Sequence, residues 1–357
     1  MRWRDELTRR FPKLARLGPG SYVVGGAIRD LLLGRDPADV DVASLDPLAS
    51  AKKIRDRVIR LGTEEHLSAW RVVDGEHVYD FAELLDHDLE ADLARRDFTV
   101  NAMAVDLAHD VLHDPHGGQQ DAASGLVRMV RPENFDDDPL RTLKGVRMAV
   151  RYEFELEPET LEAIRARAPR IVDVAPERVT YELSVVFSAN ALGRAVDLLR
   201  RTHLAEPLGL HPRDVPSDNV TLAGAYALFV DDPRAYAERW RWSETLTREV
   251  LALQALMAKH DRLALYDAGE TVARQLPPLL PGEPLDMPDF SVRPLLTGNE
   301  IAEATGLAPG KELGALKRKL LEAQVSGEVK TRDEAVAFIV APRPAPRGEG
   351  QHEWPTA

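Results

Sequence analysis

The 357-residue chain has no cysteine. That excludes disulfides, thiolate zinc sites and cysteine nucleophiles, and it suits a cytoplasmic protein. No apolar run reaches the roughly 18 residues that a membrane-crossing helix requires, and the opening MRWRDELTRRFPKL lacks the apolar centre of a signal peptide. A basic excess is missing too. The formal net charge is −13, whereas nucleic-acid binders ordinarily carry a positive footprint. The deficit is uneven: residues 1–125 hold 16 Lys/Arg against 23 Asp/Glu, while Arg141 to Arg201 holds 11 basic against 9 acidic residues. A metal-binding end needs carboxylates and an RNA contact needs only a basic stripe, so the overall sign excludes neither. What is present is a 44% apolar composition, that of a globular chain, at a length that predicts two to four segments.

The first 17 residues place apolar positions at helical spacing. GPGSYVVGGAIRD then reads as turn, short buried strand, glycine turn and helix start, and ADVDVAS alternates as a strand with one wet face. LASAKKIRDRVIRLG predicts a surface helix ending at Gly62. Two strand-like runs flank Asp74-Gly75, a hairpin signal. Mixed strands and helices up to about residue 122 predict an α/β unit. From Pro139 onward the pattern is almost wholly helical, in segments broken by prolines. Residues 342–357, with prolines and glycines and few apolar side chains, predict a disordered end.

Chemistry concentrates in the first unit. Asp39 and Asp41 stand two apart on a strand, so both carboxylates leave the same face. Adjacent carboxylates repel, a divalent cation relieves the repulsion, and oxygen-only donors select Mg²⁺; the competing reading is a solvated strand face. Upstream, Gly25-Gly26 ends an apolar strand and Arg29-Asp30 opens a helix. Backbone without side chains lets phosphates approach amides at a helix start, and Arg29 adds charge. The alternative is a tight turn needing positive φ, followed by an Arg29–Asp30 pair. Asp80, in VYDFAEL, is the candidate third carboxylate, accepting a proton from an attacking hydroxyl; otherwise it is an edge-strand Asp. In ARRDFTVNAMA, Arg95, Arg96 and Asn101 supply donors for triphosphate oxygens and ribose hydroxyls, while Asp97 reads as the partner of an arginine at a helix start. His260-Asp261 has no companions for a metallohydrolase site and reads as a helix end. Trp240 and Trp242, beside Arg239 and Arg241, read as indoles buried by an amphipathic helix rather than as base-stacking platforms.

GGAIRD, DVD, RRDFTVNAMA, DPHGGQQD, DDPLRTLKGVRMA and PERVTYEL occur in that order between about Ser21 and Leu183. In this the chain resembles class II tRNA nucleotidyltransferases and bacterial poly(A) polymerases, and LLTGNEIAEATGLAPGKELG is similar to that family's C-terminal tail. The resemblance implies an α/β N-terminal nucleotidyltransferase head of the DNA polymerase β type, followed by an all-α neck, body and tail. The expected divisions are a head over 1–122, a neck over 123–190, a body over 191–290, a tRNA-binding tail over 291–341 and the disordered end. It also implies that Asp39 and Asp41 bind metal, that Gly25, Gly26 and Arg29 belong to the triphosphate loop, and that Arg96, Asp97 and Asn101 handle ribose and phosphate. Asp138 and Arg141 match the pair that reads the incoming base, and Arg147 and Arg178 lie in helices lining the nucleotide pocket.

Base reading has a physical logic of its own. Residues three apart on a helix converge on one ligand. Cytosine and adenine both present an amino donor beside a ring-nitrogen acceptor, which a carboxylate and a guanidinium complement, while uracil and guanine present the reverse order. A protein would then act as template. Asp138 also reads as the N-cap of a helix opening at Pro139. The expected activity is addition of nucleotides from CTP and ATP to a tRNA 3′ end, with Mg²⁺. The chain carries no obvious extra basic arm for long RNAs, and nothing in it points to an obligate protein partner. Alternatives are a poly(A) polymerase and a catalytically silent RNA-binding protein. Arg95 follows Asp80 by only 15 positions, where the family has a longer flexible segment, and the family's Arg is missing from FAELLDHD. By resemblance, that shortening predicts a CC-adding enzyme over complete CCA or A addition.

Overall fold

A computed structural model describes residues 2–61 and 69–341. The chain forms two compact units, Met1–Thr247 and Arg248–Ala357. The segment expected to be disordered, 342–357, lies outside the described residues.

The first unit begins with helix α1 (Trp3–Arg10), whose buried Trp3 and Leu7 set its inner face. Strand β1 (Ser21–Val24), helix α2 (Gly26–Leu32), strand β2 (Asp39–Ser44) and helix α3 (Pro47–Ile54) follow. Next come β3 (Ile59–Leu61), β4 (Ala69–Asp74), β5 (His77–Glu83), helix α4 (Leu89–Ala94), β6 (Ala104–Asp106) and β7 (Val111–His113). The strands make a seven-stranded sheet in the order β3-β4-β5-β2-β1-β6-β7. Among the described strands of this sheet, only β2 and β5 pair parallel. Alternation gives the sheet two faces of different character. On one, Val23, Val40, Val42, Val72, Tyr79 and Phe81 are buried with Leu7, Phe11, Ile28 and Ile54 of the covering segments. Each such side chain contributes about 1.5–3 kcal/mol by leaving water. On the other, Val24, Ala43 and Ala104 meet Leu84 and Leu93 in a small apolar patch, and the rest of that face stays open.

The expected hairpin is present: Asp74 faces His77, and Gly75 turns the chain at φ 64°. The helix expected to run to Gly62 is not. It stops at Ile54, where Arg55 is extended, and Ile59–Leu61 pairs with β4 instead. Cross-strand hydrogen bonding outweighs helix propensity for the β-branched Ile59 and its neighbour Val58; Gly62 itself is outside the described residues.

Beyond the sheet lie α5 (Gly118–Ala123), β8 (Leu126–Val127), α6 (Asn134–Asp137), α7 (Leu140–Tyr152), β9 (Glu155–Leu156), α8 (Pro158–Arg167) and α9 (Pro176–Phe187). The short β8–β9 ladder is parallel. Helices over 192–201, 222–229 and 233–240 complete this unit. Trp240 and Trp242 are buried with Tyr226, Tyr236 and Phe187, and the Trp240 indole donates to the Leu208 carbonyl at 3.2 Å, as expected of core indoles.

The second unit packs Leu296, Ile301, Leu316, Leu320 and Ile339 into its own core. Its helices Gly298–Thr305 and Arg332–Val340 each open with a capping box, Thr297 with Glu300 and Thr331 with Glu334. Asp261 caps the helix Arg262–Ala268 and His260 meets Glu283 at 3.1 Å, so both serve as helix-end residues. Among the described residues, no helix is long and apolar enough to cross a membrane.

Candidate active site

The open sheet face carries the carboxylates. Asp41 of β2 is directly opposite Asp80 of the parallel β5, and Asp39 precedes it on the same face. Strand β5 lies between β4 and β2, so Asp80 is not an edge-strand residue. Arg71 of β4 stands opposite Asp80 and grips both of its oxygens, Nε at 2.7 Å and Nη2 at 2.6 Å. Sequence reasoning had passed over Arg71, although the hairpin register Asp74–His77, carried back along the strands, places it there.

Asp41 presents its carboxylate to water from the floor of a cleft densely walled by protein. That surrounding raises its pKa from 3.8 to about 6; Asp39 and Asp80 push the same way, while Arg96 and Arg71 oppose. Three carboxylates thus share one field. Asp39 and Asp41 are oxygen donors on one strand face, the type a hard divalent cation takes; Asp80 is held by Arg71, and among the described residues no group of three or more carboxylate or imidazole side chains is gathered into a ready ligand set.

Beside them, Gly25 ends β1 at φ 75°. A Cβ there would lie 3.0 Å from Arg96 Nη1 and 3.8 Å from Asp41 Oδ2. The positive-φ backbone favours glycine here, and a side chain would press on the tip of Arg96. Arg96 is aimed by Asp92, which accepts from its Nε at 3.2 Å and Nη2 at 3.0 Å. Asp41, Asp80, Asp92 and Arg96 line one hollow; Asp92, Arg96, Arg95 and Arg141 line the next. Carboxylates, a bare glycine turn and three guanidiniums are thus brought to one cleft.

Other expected site residues lie behind that surface. Arg29 is buried, held by Asp30 at 2.8 Å, Asn101 Oδ1 at 2.5 Å and the Tyr152 hydroxyl at 2.6 Å. The Arg29–Asp30 pair anticipated at the helix start is present. Asn101 passes the network on, donating to Asp97 Oδ1 at 3.0 Å. Burial works against the charge of Asp97, but Lys144, Asn101, the Phe98 amide and Arg141 together outweigh it and lower its pKa. Among the described residues Asp97 makes no Arg ion pair of the kind expected from its sequence neighbours; its side-chain partners are Asn101 and the Phe98 amide.

The motif at the start of α7 is divided. Helix α7 opens at Leu140 with Pro139 at its N-cap, one position later than expected, so Asp138 stands just before the cap. Its Oδ1 accepts from the Leu140 amide at 3.3 Å and its Oδ2 holds Arg178 at 2.8 Å. Arg141 donates to the carbonyls of Arg95 and Asn134, at 2.8 and 3.1 Å. Asp138 and Arg141 therefore do not converge in this arrangement: Arg141 borders the hollow and Asp138 is tied to α9. Arg147 is paired with buried Glu182 at 3.2 Å, and burial raises the pKa of Glu182 against the pull of Arg147.

The cleft has the parts for phosphoryl transfer from a triphosphate, which is the class a nucleotidyltransferase head defines. Residues 21–88 and 76–128 match the family described as poly A polymerase head domain, and 153–211 match the probable RNA and SrmB-binding site of polymerase A. The chain is 32% identical to the A-adding tRNA nucleotidyltransferase of Deinococcus radiodurans, over 93% of this chain and 97% of that one. It is 27% identical to the CC-adding tRNA nucleotidyltransferase of Synechocystis, over 91% and 94%. The crystal structure of the Bacillus stearothermophilus CCA-adding enzyme in complex with CTP superposes with TM-score 0.73 at 23% identity, covering 95% of this chain and 97% of that one. This chain belongs to the tRNA nucleotidyltransferase family.

Proposed function

We propose that the protein adds cytidines from CTP to the 3′ end of tRNA and stops before the terminal adenosine. One observation carries the subtype: the segment Leu84 to Ala94, between the third carboxylate strand and the RRDFT motif, is packed down. It forms a short turn and helix α4, capped by Asp88, with Leu84 and Leu93 buried against the sheet. A lever that re-aims the base-reading residues from cytosine to adenine needs loose chain, and this segment has little. The greater identity to an A-adding relative favours a second reading, in which only the adenosine is added.

The division of labour follows from the cleft. Asp39 and Asp41 would hold Mg²⁺, which when bound supplies positive charge against the triphosphate and acidifies the attacking hydroxyl. The glycine turn and Arg96 receive the triphosphate. Asp80, oriented by Arg71, takes the proton as the RNA 3′-oxygen bonds to the α-phosphorus and the bond to pyrophosphate breaks. Arg141 reads the base, Asp138 joining it if Arg178 lets go. Head 1–122 and neck 123–190 would hold the nucleotide, and body 191–290 and tail 291–341 the tRNA.

The test supplies tRNA lacking its last three nucleotides, CTP, ATP and Mg²⁺, and sequences the product. The expected product ends in CC. Efficient terminal adenosine would indicate complete CCA addition. Extension only of tRNA already ending in CC would indicate the A-adding reading, long adenosine tails a poly(A) polymerase, and no extension a silent RNA-binding protein.

A further inference from the structure

The order of the strands gives the cleft a direction. Reading across the open face, the glycine turn follows β1, Asp39 and Asp41 lie on β2, Asp80 on β5 and Arg71 on β4. Neighbouring strands are about 4.8 Å apart, so this row runs on the order of 15 Å. In-line transfer puts the attacking and leaving oxygens on opposite sides of the phosphorus. With the triphosphate at the glycine turn and Arg96, the attacking strand must arrive from the Asp80 and Arg71 side.

Arg71 has chemistry to spare there. Its Nε and Nη2 edge is spent on Asp80, in the parallel fork that a guanidinium makes with a carboxylate. Its other nitrogen, Nη1, has no partner among the described residues, and the side chain is 40% exposed. A planar guanidinium used along one edge keeps donors on the other, which a lysine cannot do. Besides Asp80, the anions acting on Arg71 from within the chain are Asp39 and Asp41; given the direction of attack, the anion that would arrive on its open side is a phosphate of the incoming strand.

We propose that Arg71 binds the last phosphodiester of the RNA through Nη1 while its opposite edge holds Asp80, so that one side chain sets both the attacking strand and its proton acceptor. This rests on the nucleotidyltransferase reading above. It makes Arg71 a substrate-contacting residue, and its effect depends on the charge of one phosphate.

The experiment is a cycle between protein and RNA. Truncated tRNA is prepared with an ordinary or a neutral methylphosphonate linkage before its last nucleotide, and each is extended with CTP by wild type and by Arg71→Gln. KM for RNA, KM for CTP and kcat are measured, with thermal melting as a check on folding. For wild type, the neutral linkage should raise the RNA KM by about 10- to 100-fold, the range of one charge-assisted hydrogen bond. Arg71→Gln should raise it similarly for ordinary RNA, lower kcat through Asp80, and be almost indifferent to the neutral linkage. The KM for CTP should stay within about twofold. If the two changes multiply in full, Arg71 does not touch that phosphate and the proposal fails. Should Arg71→Gln melt early, Arg71→Lys replaces it, with the same cycle and the same criterion. Wild-type enzyme that extends neither RNA with CTP, nor CC-ended RNA with ATP, would instead overturn the underlying activity.

Discussion

Two clusters of charge stand a few residues apart in the head and obey opposite rules. Around Arg29 every charge is answered: Asp30, Asn101 and Tyr152 surround the guanidinium, and Asn101 hands the network to Asp97. On the sheet face, Asp39, Asp41 and Asp80 crowd one another, with arginines that offset only part of the repulsion. A buried network stabilises one conformation when all its members are satisfied. A cluster left short of positive charge favours an added cation, the role proposed for Asp39 and Asp41. On that reading the same residue types serve structure in one place and chemistry in the other, and what separates them is how completely each charge is compensated.

That contrast predicts different losses. Asp39→Ala or Asp41→Ala should lower nucleotide incorporation by about a thousandfold or more, yet leave the melting temperature unchanged or slightly raised, because like charges are relieved. Incorporation within tenfold of wild type in either variant would mean that the metal ligands have been misplaced. Arg29→Met should do the reverse. Removing one partner from a buried, hydrogen-bonded pair costs about 3–5 kcal/mol, which denaturant unfolding would register; a loss below about 1 kcal/mol would put Arg29 among the functional charges instead.

Arg141 sits between the two classes, with backbone carbonyls for partners and one side on the hollow. Arg141→Ala should weaken discrimination of CTP against UTP and GTP by about 10- to 100-fold while changing triphosphate affinity much less. Unaltered selectivity would show that bases are read by other groups. The smallest effect concerns protons. Asp41 has a folded pKa near 6 against an ordinary 3.8, so between those values the folded metal-free chain keeps a proton that the unfolded chain has released. Raising the pH from 4 to 6 should therefore lower the stability of chelated protein, and Asp41→Asn should remove that slope. A slope unchanged by the substitution would place the titration elsewhere.

Much of this is legible in the sequence. Strict alternation in ADVDVAS gave the shared face of Asp39 and Asp41, and the Asp74-Gly75 signal gave the β4–β5 hairpin, because both are local rules of strand geometry. Position 71 faces position 80 by the same register, so Arg71 could have been found by counting back from the turn. Tyr152 could not. It lies 122 positions from Asp30, and nothing local to α7 announces that its hydroxyl bridges Asp30 and Arg29. The helix expected to reach Gly62 failed for a related reason, since Ile59–Leu61 is a strand only because β4 is there to pair with it.

The sequence by itself determined which chemistry the chain can perform: two carboxylates on one strand face, a glycine turn where phosphate can approach, and a family membership legible in six ordered motifs. Only the tertiary structure decided which charges remain free to do it. Arg29 and Arg96 are both arginines of conspicuous motifs, yet packing buries the first in a closed network and aims the second into the cleft. Compensation of charge depends on what surrounds a group in three dimensions, and residues distant along the chain supply most of those surroundings.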